Sequence, residues 1–256
     1  MDSTSRPVVL VTGAAQRIGR AIALELAAQG WQVAVHHRSS AAAAAQTVAA
    51  LREAGADARA FAADLAVEPE CSALVPAVLQ AFGRIDAVVN NASHFEYDDV
   101  ASFSYAAMER AWRANTAPAI VLARALHAAG GSAVVNLLDQ KLWNPNPDYL
   151  SYSLSKAALE AATTMLAQAL APRLRVCGVA PGVTLPSGGM DNAEFMAAQR
   201  MTPLQRSATP QDVARAVRFL LESPAITGTT LLVDGGQHLQ AQSRDVLFIA
   251  REDKER

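Results

Sequence analysis

The sequence predicts a doubly wound α/β domain with a parallel sheet of about seven strands, and three observations carry that prediction. Seven short, β-rich apolar runs recur, at residues 8–11, 32–36, 58–61, 87–90, 133–138, 175–179 and 230–233. Longer segments with helical spacing separate them. The runs also lack a clear two-residue alternation, as expected of strands covered on both faces by helices. With 256 residues, 51% apolar and 18% charged, the chain suffices for one large core and is short for two. A single domain over 1–256 is therefore expected, with its core at about 7–238 and a tail at 239–256.

The elements follow in order. The first run leads into a helix at 17–29, where Ile18, Ile22 and Leu26 repeat at helical spacing. The alanine-rich stretch from Ala41 continues through Val48 and Leu51 and stops at Gly55, which reads as a second helix and not as a linker. Asn115 lies in a helical stretch, and 152–170, rich in Ala and Leu, is another helix. After the sixth run comes a loop at 181–189 punctuated by Gly and Pro. Ligands of open α/β sheets sit outside the carboxyl ends of the strands, so this loop is a candidate lid, or else a plain surface loop. Helices are expected from Asp191 and from near Pro210. In the tail, 246–249 reads as a short extra strand and 251–256 as a charged end.

Composition removes several function classes. Twenty-two Lys and Arg against 24 Asp and Glu give a net charge of −2, which builds no basic face for nucleic acid. No stretch approaches the ~18 apolar residues of a membrane span, and residues 1–7 are too polar for the core of a signal peptide, so a cytoplasmic protein is expected. Cys71 and Cys177 lie far apart without ligand spacing, which points to buried thiols and to no disulfide framework or metal site.

Three segments carry chemistry. Thr12-Gly13-Ala14-Ala15-Gln16-Arg17-Ile18-Gly19 joins the first strand to a helix, where glycines permit a tight turn and the free N–H groups attract a phosphate. The second strand ends in His36-His37-Arg38-Ser39 with no acid to accept from ribose hydroxyls. Arg17 and Arg38 offer forked donors to an extra phosphate, and Ser39 a hydroxyl, which favours NADP(H) over NAD. The bland alternative is two solvated surface arginines. In Tyr152-Ser153-Leu154-Ser155-Lys156 the outer pair shares one helix face, and an ammonium beside a phenol lowers its pKa and fits it for proton transfer.

These segments, with Asn90-Asn91-Ala92, Asn115, Pro181-Gly182 and Val233-Asp234-Gly235-Gly236, resemble the short-chain dehydrogenase/reductase family over about residues 7–238. The resemblance implies a Rossmann-type domain, usually a homotetramer, that moves hydride between a nicotinamide and a substrate carbon. It makes Tyr152 the proton donor, gives Lys156 the nicotinamide ribose and a supporting role toward Tyr152, and has Asn115 order a relaying water. NADPH would lie along Gly13, Arg17, Ile18, Gly19, His37, Arg38, Ser39, Asp64, Leu65, Asn91, Ala92, Pro181 and Gly182, with Asp64 at the adenine.

One position departs from the family. Asp139 stands where a serine usually holds the substrate carbonyl. An ionised carboxylate cannot donate to a ketone oxygen and repels developing negative charge, so N–H donors or a ring nitrogen suit it better. Within the family, that change resembles the pteridine reductases, as do Asn91-Ala92-Ser93-His94-Phe95, Arg17, His37-Arg38-Ser39 and Pro203-Leu204-Gln205-Arg206. This implies NADPH-dependent reduction of a dihydropterin, such as dihydrobiopterin or dihydromonapterin, or of dihydrofolate, to the tetrahydro form. Phe95 would stack on the ring, Arg17 and Ser93 would bridge cofactor and substrate, and Asp139 would polarise Tyr152. Blander readings make Asp139 a helix cap or surface acid and Phe95 a core aromatic. The rival functions are a carbonyl reductase for a keto-acyl, sugar or other ketone, and a non-catalytic NADP(H)-binding regulatory subunit, which would not need Asn115, Tyr152 and Lys156 together. The tail either meets a neighbouring subunit or frays into solvent. His94 and Tyr149 receive no role.

Overall fold

The computed structural model describes residues 6–187 and 189–255. Its elements are β1 (Val8–Val11), α1 (Arg17–Ala28), β2 (Gln32–His37), α2 (Ala41–Glu53), β3 (Ala58–Ala62), α3 (Glu68–Phe82), β4 (Ala87–Asn90), α4 (Tyr105–Asn115), α5 (Ala117–Ala128), β5 (Ala133–Leu137), α6 (Leu150–Leu170), β6 (Arg175–Pro181), α7 (Asn192–Arg200), α8 (Pro210–Glu222), β7 (Thr230–Val233) and α9 (Val246–Glu255). Short 3₁₀ turns lie at Gln140–Leu142 and Gln237–Leu239. The seven strands form one parallel sheet in the order β3-β2-β1-β4-β5-β6-β7. Strand order reverses direction between β1 and β4, which opens a crevice at their carboxyl ends.

Side chains alternate through the sheet and fill a core on each face. From β1, Val9 and Val11 pack with Ile22, Leu26 and Leu220 of α1 and α8, whereas Val8 and Leu10 pack with Leu74, Leu122 and Leu126 of α3 and α5. With both faces covered, central strands such as β1 and β4 are buried along their whole length. Helix starts are marked by side chains: Thr209 and Asp212 form a reciprocal cap on α8, and Asp191 and Glu194 do the same on α7. Among the described residues no helix is long and apolar enough to cross a membrane.

Two expectations about the tail are corrected. Residues 246–249 begin α9 and are not a strand: Asp245 Oδ1 accepts the Leu247 N–H at 3.1 Å, an N-terminal cap, and helix-forming residues follow. The described part of the tail does not fray. It is fastened to its own chain, with Arg244 on Asp148 at 2.8 Å and Arg251 on Glu194 at 3.1 Å.

Candidate active site

A cleft of about 560 Å³ opens at the carboxyl ends of the central strands. Its first wall is the turn after β1. Gly13 adopts a left-handed φ of +63°, and a Cβ on Gly19 would lie 2.3 Å from the Gly13 carbonyl oxygen, so α1 starts against the turn only because residue 19 has no side chain. Asn91 locks this turn from the end of β4, donating to the Thr12 carbonyl at 2.9 Å, while Thr12 Oγ1 accepts the N–H groups of Asn91 and Ala92 at 2.9 Å each. The Asn91 side chain is thereby committed to the protein.

His36 is part of the same device and carried no role in the sequence reading. Buried in β2, it accepts the Gly13 N–H on Nδ1 at 3.1 Å, and its Nε2–H donates to the Ala63 carbonyl at 3.0 Å. Burial holds its pKa below the ordinary histidine value, so it sits neutral in this tautomer. Nothing in a single sequence distinguishes it from the neighbouring His37.

Beyond the turn, His37, Arg38, Ser39, Asp64 and Leu65 line one end of the cleft. His37 Nδ1 is buried there without a hydrogen-bond partner. Asp64 Oδ1 accepts the Ala66 N–H at 3.0 Å, which shapes the loop after β3. Arg17 takes a left-handed φ of +55°, unusual for a residue with a side chain, and reaches across the cleft to donate to the Pro186 carbonyl at 2.9 Å. The loop expected as a lid thus forms the facing wall, with Pro181, Gly182, Thr184 and Met190 on the cleft.

At the other end stand Asp139, Tyr152 and Lys156. The Tyr152 hydroxyl donates to Asp139 Oδ2 at 2.8 Å, and the Lys156 ammonium donates to the Leu137 carbonyl at 2.6 Å. Burial, followed by the Asp139 charge and hydrogen bond, raises the Tyr152 pKa well above its usual value. This corrects the expectation that Lys156 lowers it: desolvation and a carboxylate outweigh an ammonium that is itself depressed to about 8 by burial. Asp139 is raised, chiefly by burial, against the opposing pull of the Lys141 N–H, Tyr152 and the two lysines. The cap reading and the chemical reading of Asp139 hold together, because Oδ1 accepts the Lys141 N–H at 2.9 Å and Oδ2 faces Tyr152.

Asn115 does not line the cleft. It lies buried behind it, where Oδ1 accepts the His94 N–H at 2.7 Å and Nδ2 donates to the His94 carbonyl at 3.0 Å and to Ser155 Oγ at 2.9 Å. Its visible work is to tie the 93–95 loop to α6. Ser93 and Phe95 are on the cleft, and Phe95 is no core aromatic, being 40% exposed. One face of Phe95 stacks on Tyr149 at 4.2 Å, and its ring meets Tyr152 edge-on at 4.7 Å. Tyr149 caps α6 in a left-handed conformation, and burial pushes its pKa up to about 12.

Known proteins are similar to this chain in sequence and fold. A family model described as Enoyl-(Acyl carrier protein) reductase matches residues 13–238. The chain is 32% identical to the 3-oxoacyl-[acyl-carrier-protein] reductase of Synechocystis, covering 92% of this chain and 98% of that one. This chain belongs to the short-chain dehydrogenase/reductase family. Other members of the family are also similar. Pteridine reductase 1 of Leishmania tarentolae is 32% identical, over 93% of this chain and 98% of its own. The crystal structure of FolM, alternative dihydrofolate reductase 1, from Brucella canis complexed with NADP superposes with a TM-score of 0.86 at 38% identity, over 93% of this chain and 97% of that one. As a short-chain dehydrogenase/reductase, the chain is an oxidoreductase.

Proposed function

We propose that this short-chain reductase uses NADPH to reduce a dihydropterin or dihydrofolate ring to the tetrahydro form. The observation that carries the reading is the 2.8 Å bond from Tyr152 to Asp139 beside the exposed ring of Phe95. A flat heterocycle rich in N–H groups fits between such a wall and a nicotinamide, and a carboxylate accepts its donors where it would repel a ketone oxygen. Similarity to pteridine reductase 1 and to FolM supports the same choice.

The residues present fit NADPH. The Gly13–Gly19 contact leaves a cradle that a Cβ would fill, and the start of α1 directs N–H groups to a pyrophosphate. Arg38, Ser39 and the unpartnered His37 Nδ1 suit a 2′-phosphate, and Lys156 suits the nicotinamide ribose. When bound, NADPH supplies a hydride to the imine carbon of the ring. The chain supplies the rest. Phe95, backed by Tyr149, holds the ring plane, and Asp139 fixes its edge. Tyr152, kept neutral by burial and by Asp139, holds a proton for the neighbouring ring nitrogen, either directly or through a water. One hydride and one proton convert C=N to CH–NH, which balances the oxidation of NADPH.

A second reading, reduction of a keto-acyl or other ketone, draws on the likeness to the Synechocystis reductase. The test is NADPH oxidation by purified protein with dihydrobiopterin, dihydromonapterin, dihydrofolate and a panel of ketones. Pterin turnover abolished by Tyr152→Phe and crippled by Asp139→Ser is expected. Turnover of ketones alone, retained or improved in Asp139→Ser, would overturn the proposal.

A further inference from the structure

Lys141 borders the substrate end of the cleft and meets both Asp139 and Tyr149 there. Its backbone N–H holds Asp139 Oδ1 at 2.9 Å. Its side chain is folded inward and only 5% of the residue is exposed. The ammonium donates to the Asp148 carbonyl at 2.6 Å and to Asp245 Oδ2 at 3.3 Å, and lies 5.3 Å from the centre of the Tyr149 ring that backs Phe95. A lysine this buried needs partners for its charge, and its carboxylate partner, Asp245, comes from the far end of the chain.

That far end is fastened in several places. Arg244 and the Asp245 N–H both bind the Asp148 carboxylate, at 2.8 and 2.7 Å, and the Gln242 N–H donates to Asn144 Oδ1 at 3.2 Å. From α9, Phe248 lies beside Tyr149, with ring centres 6.4 Å apart and planes inclined by 29°, while Asp245 and Val246 border the cleft. The segment they grip is weak by itself. The 3₁₀ turn at Gln140–Leu142 is only three residues long, and such a turn has little intrinsic stability. The direction of the carboxylate facing Tyr152 therefore depends on what anchors residue 141.

We propose that Lys141 is a positioning residue for the reaction, and that the C-terminal segment, gripping it through Asp245 and flanking Tyr149 with Phe248, is a working part of the active site of its own chain. The segment clamps the turn that aims Asp139 and the ring that backs Phe95. The idea goes beyond the reductase reading and rests on it for the roles of Asp139 and Tyr152.

The experiment compares Lys141→Met, Asp245→Ala and the double variant with wild type. In NADPH-dependent dihydropterin reduction, each single change is expected to lower kcat about tenfold, with the KM for NADPH within about twofold, because only the aim of the acid pair is lost. Because both changes break the Lys141–Asp245 contact, the loss in the double variant falls short of the product of the two single losses. Multiplicative losses, or unchanged kcat in Lys141→Met, would overturn the clamp. A second readout needs no turnover: hydrogen–deuterium exchange in residues 139–149 should accelerate in Asp245→Ala while the melting temperature stays within a few degrees of wild type. If wild type reduces no pterin, the reductase reading fails and exchange alone decides the clamp. Exchange in 139–149 unchanged by Asp245→Ala refutes it.

Discussion

Replacing His36 by leucine tests whether the cofactor turn depends on a buried neutral imidazole. The change removes the acceptor of the Gly13 N–H and the donor to the Ala63 carbonyl. Each stranded polar group costs about 1–3 kcal/mol, and the greater apolar burial of leucine returns about 1 kcal/mol, leaving a deficit of about 1–5 kcal/mol. In a chain of 256 residues that lowers the melting temperature by about 2–20 °C. The deficit also depends on pH. Burial depresses the His36 pKa in the folded state, whereas the unfolded chain titrates near 6.5. The stability contributed by neutral His36 is complete above that value and is lost as pH falls toward the folded pKa, by up to about 1.4 kcal/mol per pH unit. His36→Leu lacks this loss, so the gap between wild type and variant narrows on acidification. Urea unfolding followed by circular dichroism at about pH 7.5 and pH 5 measures both quantities. A deficit under about 0.5 kcal/mol, or one that is identical at the two pH values, would refute the reasoning.

Two further outcomes follow from the site. Gly19→Ala drives a methyl into the Gly13 carbonyl and the Asn91 amide, so NADPH binding measured by fluorescence should weaken by more than about a hundredfold. Phe95→Ala removes the exposed wall while leaving the cofactor turn intact. It should raise the pterin KM about tenfold or more with little change in NADPH affinity, in steady-state kinetics with each reactant varied separately.

The strands and their parallel arrangement were legible because each apolar run coincides with a strand to within one residue, except β6, which runs on to Pro181. The cleft residues were legible where the chain brings them as motifs: Gly13, Gly19, Tyr152 and Lys156 meet at one crevice. What failed was the tail and the support. Val246-Leu247-Phe248-Ile249 reads as a strand by side-chain type, but Asp245 before it is an N-cap, and that signal was available. His36 and Lys141 carry no motif, and their partners lie 23 and 104 residues away in sequence. The sign of the Tyr152 shift was equally invisible, since it depends on burial that spacing does not report.

Asp139 divides its two oxygens between a turn and a phenol, and this division has an evolutionary consequence. Serine is as good an N-cap as aspartate, and its oxygen can still accept the Lys141 N–H while its hydrogen is offered to a substrate oxygen. The fold therefore raises no barrier to exchanging the two residues. On the reductase function proposed above, a change of substrate preference between a nitrogen heterocycle and a carbonyl compound starts from a single residue, along a path that leaves the local turn capped at every step.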